Sequence, residues 1–104
     1  MIVEERTYKI RTGKMGRYLQ LIRDEGLAIQ RPILGNLIGY FQVEIGGLSH
    51  VVHMWGYADL NDRAERRARL AVDPRWQTFV VKLSENIESA ENRILVPTDF
   101  SPLR

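Results

Sequence analysis

Residues 50 to 58 read His-Val-Val-His-Met-Trp-Gly-Tyr-Ala, and this stretch decides the fold predicted for the 104-residue chain. Its β-branched and aromatic residues favour a strand, and side chains on a strand alternate between two faces. One face carries the bulky residues Val51, His53, Trp55 and Tyr57, and the other carries the more compact set Val52, Met54, Gly56 and Ala58. The compact set suits packing under helices. Neither face offers the polar surface that an open antiparallel sheet normally presents to water.

The bulky face of this strand predicts a homodimer. The chain provides no further helix to cover it, and several aromatic residues exposed together would form an aggregation-prone patch. The preceding strand is also apolar on both sides, with Phe41 and Val43 on one face and Ile38 and Tyr40 on the other. A second copy stacked sheet on sheet would bury these residues, each aromatic side chain contributing roughly 1.5–3 kcal/mol. The alternative is that the aromatic residues lie at a sheet end under the C-terminal tail, residues 97–104.

The segments before residue 50 predict a strand, a helix and a second strand. Strands are expected over residues 2–10 and 37–45, and the glycine-containing turn at 46–49 joins the second of them to the strand at 50–58 as a hairpin. A helix is expected from Lys14 to about Ile29, ended by Pro32 and Gly35-Asn36. Its apolar positions recur at helical spacing and are Met15, Leu19, Ile22, Gly26 and Ile29.

Two further helices and a last strand complete the order. Asp59 is a predicted N-cap, with Asp62 three residues later, for a helix that ends near Leu70. Asp73 caps another helix that has Pro74 at its first position, and its buried stripe is Trp76, Phe79, Val80 and Leu83. A strand follows over residues 87–96. The order β-α-β-β-α-β is that of the ferredoxin-like α+β fold, a four-stranded antiparallel sheet with helices on one face.

Length and composition indicate one globular domain over residues 1–104. Hydrophobic residues make up 44% and charged residues 27% of the chain, and the formal net charge is only +2. This small charge argues against nucleic-acid binding. The chain has no cysteine, which excludes disulfides and thiolate chemistry, and it has no apolar stretch long enough to cross a bilayer. Without a signal-peptide pattern at the N-terminus, we expect a cytoplasmic protein.

Several short stretches resemble the NIPSNAP family when taken together in order. They are Glu5-Arg6-Thr7-Tyr8, Gly13 with Tyr18, Gly39-Tyr40, Val52-His53-Met54-Trp55-Gly56-Tyr57, Asp62-Arg63 through Arg67, Asp73-Pro74-Arg75-Trp76 and Phe100-Ser101-Pro102-Leu103. No single stretch is highly specific, but their order and spacing span nearly the whole chain.

The resemblance implies the dimeric α+β barrel, in which two ferredoxin-like sheets face one another. It implies no established reaction and no cofactor. Structurally similar families include cofactor-free monooxygenases. Larger animal relatives are associated with mitochondria and vesicle traffic, an association that we do not transfer to this single domain.

The two histidines lie three positions apart on a strand, so His50 and His53 face opposite sides and cannot share a metal ion. His53 shares its face with Trp55 and Tyr57, and an imidazole between aromatic walls could act as a general base, with Tyr57 as a second candidate catalytic group. The simpler interpretation is a histidine hydrogen-bonded inside the dimer interface.

Tyrosines and arginines supply the candidate ligand-binding residues. Tyr8 and Tyr40 would border the same cavity if their strands have a suitable register, although packing explains them nearly as well. In the helix after Asp59, Leu60, Ala64, Ala68 and Ala71 form the predicted apolar arc, with Arg67 inside it and Arg63 beside it, whereas Arg66 and Arg69 point away. The full candidate set is Arg6, Tyr8, Tyr40, Trp55, Arg63 and Arg67.

A buried arginine needs an acceptor, because an unpaired buried charge is very costly. Glu4, Glu5 or Glu91 could supply it within the chain, and this structural ion pair is the favoured interpretation. A ligand carboxylate or phosphate is the alternative. Two functions follow: a small-molecule site between sheet and helices, with monooxygenase-like or isomerase-like chemistry that needs no cofactor, or a protein-interaction module without enzymatic activity.

Overall fold

The computed structural model describes residues 1–104 and contains four strands and two helical regions. The strands are β1 (Ile2–Ile10), β2 (Asn36–Gln42), β3 (His50–Tyr57) and β4 (Ile87–Leu95). They form one antiparallel sheet in the order β2-β3-β1-β4. This arrangement confirms the predicted ferredoxin-like α+β fold. None of its helices combines the length and the apolar character that crossing a bilayer requires.

The first helical region is longer than predicted. It comprises α1 (Met15–Leu21), one π-helical turn (Ile22–Gly26) and α2 (Leu27–Leu34), so the prediction that Pro32 ends the helix is wrong. Pro32 lies in the last turn, where the loss of one backbone hydrogen bond is offset by burial of Ile29 and Leu34. The helix ends at Gly35, whose φ of +89° places it in the left-handed region.

The second helical region consists of two helices, and each begins directly after its predicted capping residue. It comprises α3 (Leu60–Val72) and α4 (Pro74–Ser84). Asp59 accepts a hydrogen bond from the Asp62 amide at 2.8 Å, and Asp73 accepts one from the Arg75 amide at 2.8 Å. Both N-caps are therefore confirmed. The helix α3 runs two residues beyond the predicted end at Leu70, because Asp73 has extended backbone and stops it there.

The hairpin is looser than predicted. Strand β2 ends at Gln42 and not at Ile45, and residues 43–49 form a loop in which the Ile45 side chain is exposed. The register of β2 against β3 shifts between Leu37 and Gly39, which marks a bulge. Strand β4 ends at Leu95, one residue before the predicted end.

The two faces of β3 are inverted relative to the prediction. Val51, His53, Trp55 and Tyr57 are only 0–3% exposed and lie under the helices of the same chain. The opposite face carries Val52 and Met54, both half-buried, next to Phe41, which is 54% exposed. The helical layer presents a large apolar surface that includes Tyr18 and Leu70, and bulky side chains fill the space beneath it better than compact ones.

Candidate functional site

Several polar side chains lie together between the sheet and α3. On β1 the residues Glu4, Arg6 and Tyr8 face the helices, since Glu4 is paired with Trp55 and Arg6 with His53 in the antiparallel register. Arginines of α3 reach the same place from above. We call Glu4, Arg6, Arg63, Arg67 and Asn92 the Glu4 cluster.

Glu4 is the centre of this cluster and has no exposed surface. Its Oε2 atom accepts hydrogen bonds from Arg63 Nη2 at 2.6 Å, Asn92 Nδ2 at 2.8 Å and Arg6 Nη1 at 3.0 Å. Burial alone would raise the pKa of the carboxyl, but hydrogen bonds from Arg63 and Asn92 and the charges of Arg6 and Arg67 lower it to about 2. Glu4 therefore stays ionised and holds the surrounding side chains in place.

The Glu4 cluster contains more positive than negative charge. Arg67 Nη1 lies 3.9 Å from Glu4 Oε1, beyond hydrogen-bond distance, and that oxygen accepts no hydrogen bond. Three guanidinium groups thus face one carboxylate. Their side chains are between 18% and 27% exposed, so each reaches the protein surface. One arginine would neutralise the carboxylate, so the cluster carries two guanidinium charges that Glu4 does not balance.

His53 adds a defined hydrogen-bond donor. Its Nδ1 atom lies 2.9 Å from Trp55 Nε1, and because an indole nitrogen can only donate, Nδ1 must be the acceptor. The proton of the neutral ring is then on Nε2, which is buried without a partner. Burial, reinforced by the charges of Arg6 and Arg67, lowers the pKa of His53 to about 3. At neutral pH the ring is uncharged and its free nitrogen donates.

Two tyrosine rings contact this imidazole, and a third tyrosine contacts those two. The Tyr40 ring stacks on it at 4.5 Å between centroids, and the Tyr8 ring meets it edge-on at 4.9 Å. The hydroxyls of Tyr18 and Tyr40 are hydrogen-bonded to each other, and burial raises the pKa of both. Arg6 Nε donates to the Tyr8 hydroxyl at 2.9 Å. Tyr8 therefore connects the Glu4 cluster to the aromatic residues around His53.

Tyr57 carries another unused polar atom. Its hydroxyl is buried without a hydrogen-bond partner. Burial raises the pKa of this hydroxyl, and the nearby guanidinium of Arg67 opposes that rise. The Tyr57 hydroxyl thus lies on the Arg67 side of the Glu4 cluster.

Besides a cleft of about 420 Å³ that includes only Asn92 of them, two surface clefts touch these residues. One has a volume of about 260 Å³ and includes Tyr57, Leu34, Asn36, Asp62 and Arg66 in its lining. The other has a volume of about 200 Å³ and is lined by Arg6, Ala90, Glu91 and Asn92. Neither cleft is lined by His53 or Trp55. The second one opens directly onto the Glu4 cluster.

The inner face of α3 agrees with the prediction in Arg63 and Arg67, which point toward the sheet, but not in its apolar residues. Leu60, Ala64, Ala68 and Ala71, expected as the apolar arc, are all exposed, and Leu70 is the buried residue of this helix. Arg66, expected to point away, donates to Asp62 at 2.9 Å and to the Ile33 carbonyl at 3.1 Å. Burying an alanine stabilises little, whereas the arginines find acceptors on the sheet side and on α2. Arg69 is exposed, as expected.

The structure brings the predicted candidates into one region. His53, Tyr57, Trp55, Arg6, Tyr8 and Tyr40 share the helix-facing side of the sheet, and Arg63 and Arg67 approach it from α3. Glu4 was expected only as one of three acceptors, and Tyr18 and Asn92 were not predicted as site residues. The alternation of Glu4 with Arg6 and Tyr8 along β1 is the signal that could have placed the carboxylate.

Comparisons with known proteins give a consistent result. The NIPSNAP family model matches residues 3–102. A NipSnap homolog of Dictyostelium discoideum is 32% identical over 94 residues, which cover 90% of this chain but 41% of that protein. The chain thus spans about two fifths of the length of this relative. A crystal structure of a NIPSNAP family protein from Agrobacterium tumefaciens is 71% identical, with a TM-score of 0.98, and the match covers 99% of this chain and 98% of that one.

A more distant likeness concerns the fold alone. A putative antibiotic biosynthesis monooxygenase from Nitrosomonas europaea matches with a TM-score of 0.68 at 14% identity, covering 93% of this chain and 98% of that one. The shared feature is the ferredoxin-like arrangement of sheet and helices.

Proposed function

The chain belongs to the NIPSNAP family, and from this premise we propose that it is a homodimer whose subunits each bind a small molecule between the sheet and α3. The observation that carries the proposal is a set of buried polar atoms without partners around the Glu4 cluster: Glu4 Oε1, His53 Nε2, Arg63 Nε and the Tyr57 hydroxyl. Each unsatisfied buried group costs about 1–3 kcal/mol. A bound molecule could satisfy several of them together.

The inward arginines of α3 support the same proposal. Local sequence preference would bury Leu60 and the alanines, yet these are exposed and the arginines are turned toward the sheet. Positions where a chain departs from its local preferences are often functional. A helix that only completed the core would bury Leu60 and the alanines as well as Leu70.

The chemistry that suits this arrangement is stabilisation of a developing negative charge. A neutral His53 donor and nearby guanidinium groups are fixed in a largely buried site, where such groups are more effective than in water. Loss of a carbon-bound proton from the substrate to solvent water would leave an enolate. This intermediate is common to an isomerase-like step and to a monooxygenase-like step in which dioxygen is the oxidant and no cofactor is needed. In this proposal His53 and Tyr57 donate to the reacting oxygen, and Arg6, Arg63 and Arg67 hold the substrate.

The homodimer in this proposal uses the open face of the sheet. Phe41, Val52 and Met54 give that face an apolar centre, which a second copy could cover. The aromatic residues of β3 belong to the core of each subunit. A dimer of this kind leaves the Glu4 cluster outside the interface, one site in each subunit.

A protein-interaction module is the second candidate. The outer side of α3 favours it, because Leu60 is 59% exposed and is followed along the helix by Ala64 and Ala68. Such a stripe could receive a partner helix. A cytoplasmic location is carried forward as part of either proposal, and cell fractionation would test it.

The test is a ligand screen by protein-observed NMR, comparing the unmodified chain with two variants of the same helix. Arg67→Met removes an inward guanidinium, and Arg69→Met removes an outward one as the matched control. We expect compounds that shift resonances around His53 and Arg6, with binding lost in Arg67→Met and kept in Arg69→Met. Compounds that bind only along Leu60, Ala64 and Ala68 would instead support the interaction module.

A further inference from the structure

We infer that the small molecule carries a carboxylate group, which the Glu4 cluster receives through the cleft lined by Arg6 and Asn92. This inference rests on the proposed function and specifies its ligand class. It follows from the kind of polar atoms left unused, from the charge around the cleft and from the route to the surface.

The unused atoms are mainly donors. His53 Nε2 carries the proton of the neutral ring, because Nδ1 accepts from Trp55, and Arg63 Nε–H is also buried without a partner. Arg6 uses Nε for Tyr8 and Nη1 for Glu4, so most of the five N–H groups of a guanidinium remain free. A set of unused donors calls for a ligand that supplies acceptors, and ionised oxygens are the strongest acceptors.

The charge around the cleft favours an anion. Within the cluster, Arg6, Arg63 and Arg67 are opposed by Glu4 alone. Glu91 pairs with Thr7, so its side chain lies on the opposite face of the sheet. Three positive charges against one leave two positive charges to balance. A carboxylate is a planar monoanion that matches the guanidinium fork, and this match favours it over a phosphate.

The geometry provides an entry for such a group at Arg6, whereas His53 and Arg63 do not line this cleft. Arg6 and Asn92 both donate to Glu4 and both line the cleft of about 200 Å³ on the β4 side of the sheet. A carboxylate entering there meets the Arg6 fork first, and the planar fork matches two carboxylate oxygens. Glu4 is a positioning residue in this arrangement, since it orients the arginines without occupying the cleft.

The test compares benzoate with benzamide, two probes of nearly equal shape that differ in charge. Binding is followed by NMR titration of the full chain and of Arg67→Met and Arg69→Met. We expect benzoate to bind at least tenfold more tightly than benzamide, since one charge-assisted hydrogen bond supports that factor. Arg67→Met should weaken benzoate binding about tenfold, and Arg69→Met should leave it unchanged.

Other outcomes separate the two claims. Equal binding of benzoate and benzamide at the cluster would overturn the carboxylate while keeping the small-molecule site. Tighter binding of inorganic phosphate than of benzoate would overturn the monoanion, and equal weakening by Arg69→Met would show nonspecific charge attraction and overturn the inference. If no compound of any charge shifts resonances around the Glu4 cluster, the proposed function itself fails.

Discussion

Trp55 donates the hydrogen of its indole nitrogen to Nδ1 of His53, two residues away on the same face of β3, at 2.9 Å. This contact fixes which nitrogen of the imidazole carries the proton, because the indole cannot accept. It also fixes the ring plane against which Tyr40 stacks. A side chain that could serve as acid, base or donor is thereby held as a donor.

The first prediction concerns this tautomer. Nitrogen NMR of the histidine rings should find His53 in the Nε2–H form between about pH 6 and 8, an interval that lies above its pKa of about 3. Trp55→Phe removes the donor and leaves Nδ1 buried and unpaired, which should lower the free energy of unfolding by about 1–3 kcal/mol. A pure Nδ1–H form in the unmodified chain would contradict the assignment.

The second prediction concerns the pH dependence of stability. The pKa of His53 is about 3 in the folded chain against an ordinary value of 6.5, so below pH 6.5 the unfolded chain binds more protons than the folded chain. The contribution of His53 to the free energy of unfolding should be constant above pH 6.5. As the pH is lowered, the free energy of unfolding should fall, by about 2–3 kcal/mol at pH 4.5. Urea unfolding at a series of pH values measures the slope.

Two comparisons identify His53 as the source of this dependence of stability on pH. Glu4 contributes in the same direction, but only from about pH 4.5 downward, because its pKa falls from 4.5 to about 2 on folding. His53→Gln should therefore remove the slope between pH 6.5 and 4.5. His50→Gln, which changes the histidine next to the Leu48 carbonyl, is the matched control and should keep it.

Most elements of this fold could be predicted because their signals are local. Asp59 and Asp73 mark helix starts through hydrogen bonds to amides two or three residues away. The faces of β3 could not be assigned, because alternation separates the two sets of side chains without saying which set lies under the helices. Packing against the helices places Trp55 and His53 on the buried face.

Most residues of the candidate site could be predicted from the sequence, but the central position of Glu4 could not. His53, Arg6 and Tyr8 follow from strand alternation, but Asn92 reaches Glu4 only through the pairing of β4 with β1, 88 positions apart in sequence. The inward direction of Arg67 on α3 was predicted, but the burial of the alanines was wrong, because hydrophobicity alone ranks alanine above arginine for burial. The buried carboxylate of Glu4 reverses that order by pairing with the arginines.

The third prediction concerns Glu4. Glu4→Gln places a neutral amide at a position with no exposed surface and leaves the partly buried charges of Arg6, Arg63 and Arg67 without their carboxylate, so the free energy of unfolding should fall by about 3–5 kcal/mol. Glu5→Gln is the matched control on the same strand, since its partner Arg93 is largely exposed. That change should cost at most about 1 kcal/mol. Equal effects in chemical denaturation would show that Glu4 is not the centre of the cluster.

The fourth prediction compares two glycines of the first helical region. Gly16 lies in α1, where an added Cβ would meet only open space, so Gly16→Ala should stabilise the chain by about 0.5–1 kcal/mol. Gly26 lies in the π-helical turn, where an added Cβ would be 3.0 Å from the Phe79 ring. Gly26→Ala should destabilise by about 1–3 kcal/mol. Thermal melting should show a higher melting temperature for Gly16→Ala and a lower one for Gly26→Ala than for the unmodified chain.

The fifth prediction concerns the proposed homodimer. Met54→Glu places a charge at the centre of the open sheet face beside Phe41, so it should shift the chain from dimer to monomer in sedimentation at micromolar concentration. Leu60→Glu introduces the same charge on the outer side of α3, where the leucine is exposed, and should leave the dimer intact. Trp55 lies in the core of each subunit, so its fluorescence should not change when the dimer dissociates. A dimer that survives Met54→Glu but not Leu60→Glu would move the interface to α3 and favour the interaction module over the sheet-to-sheet arrangement.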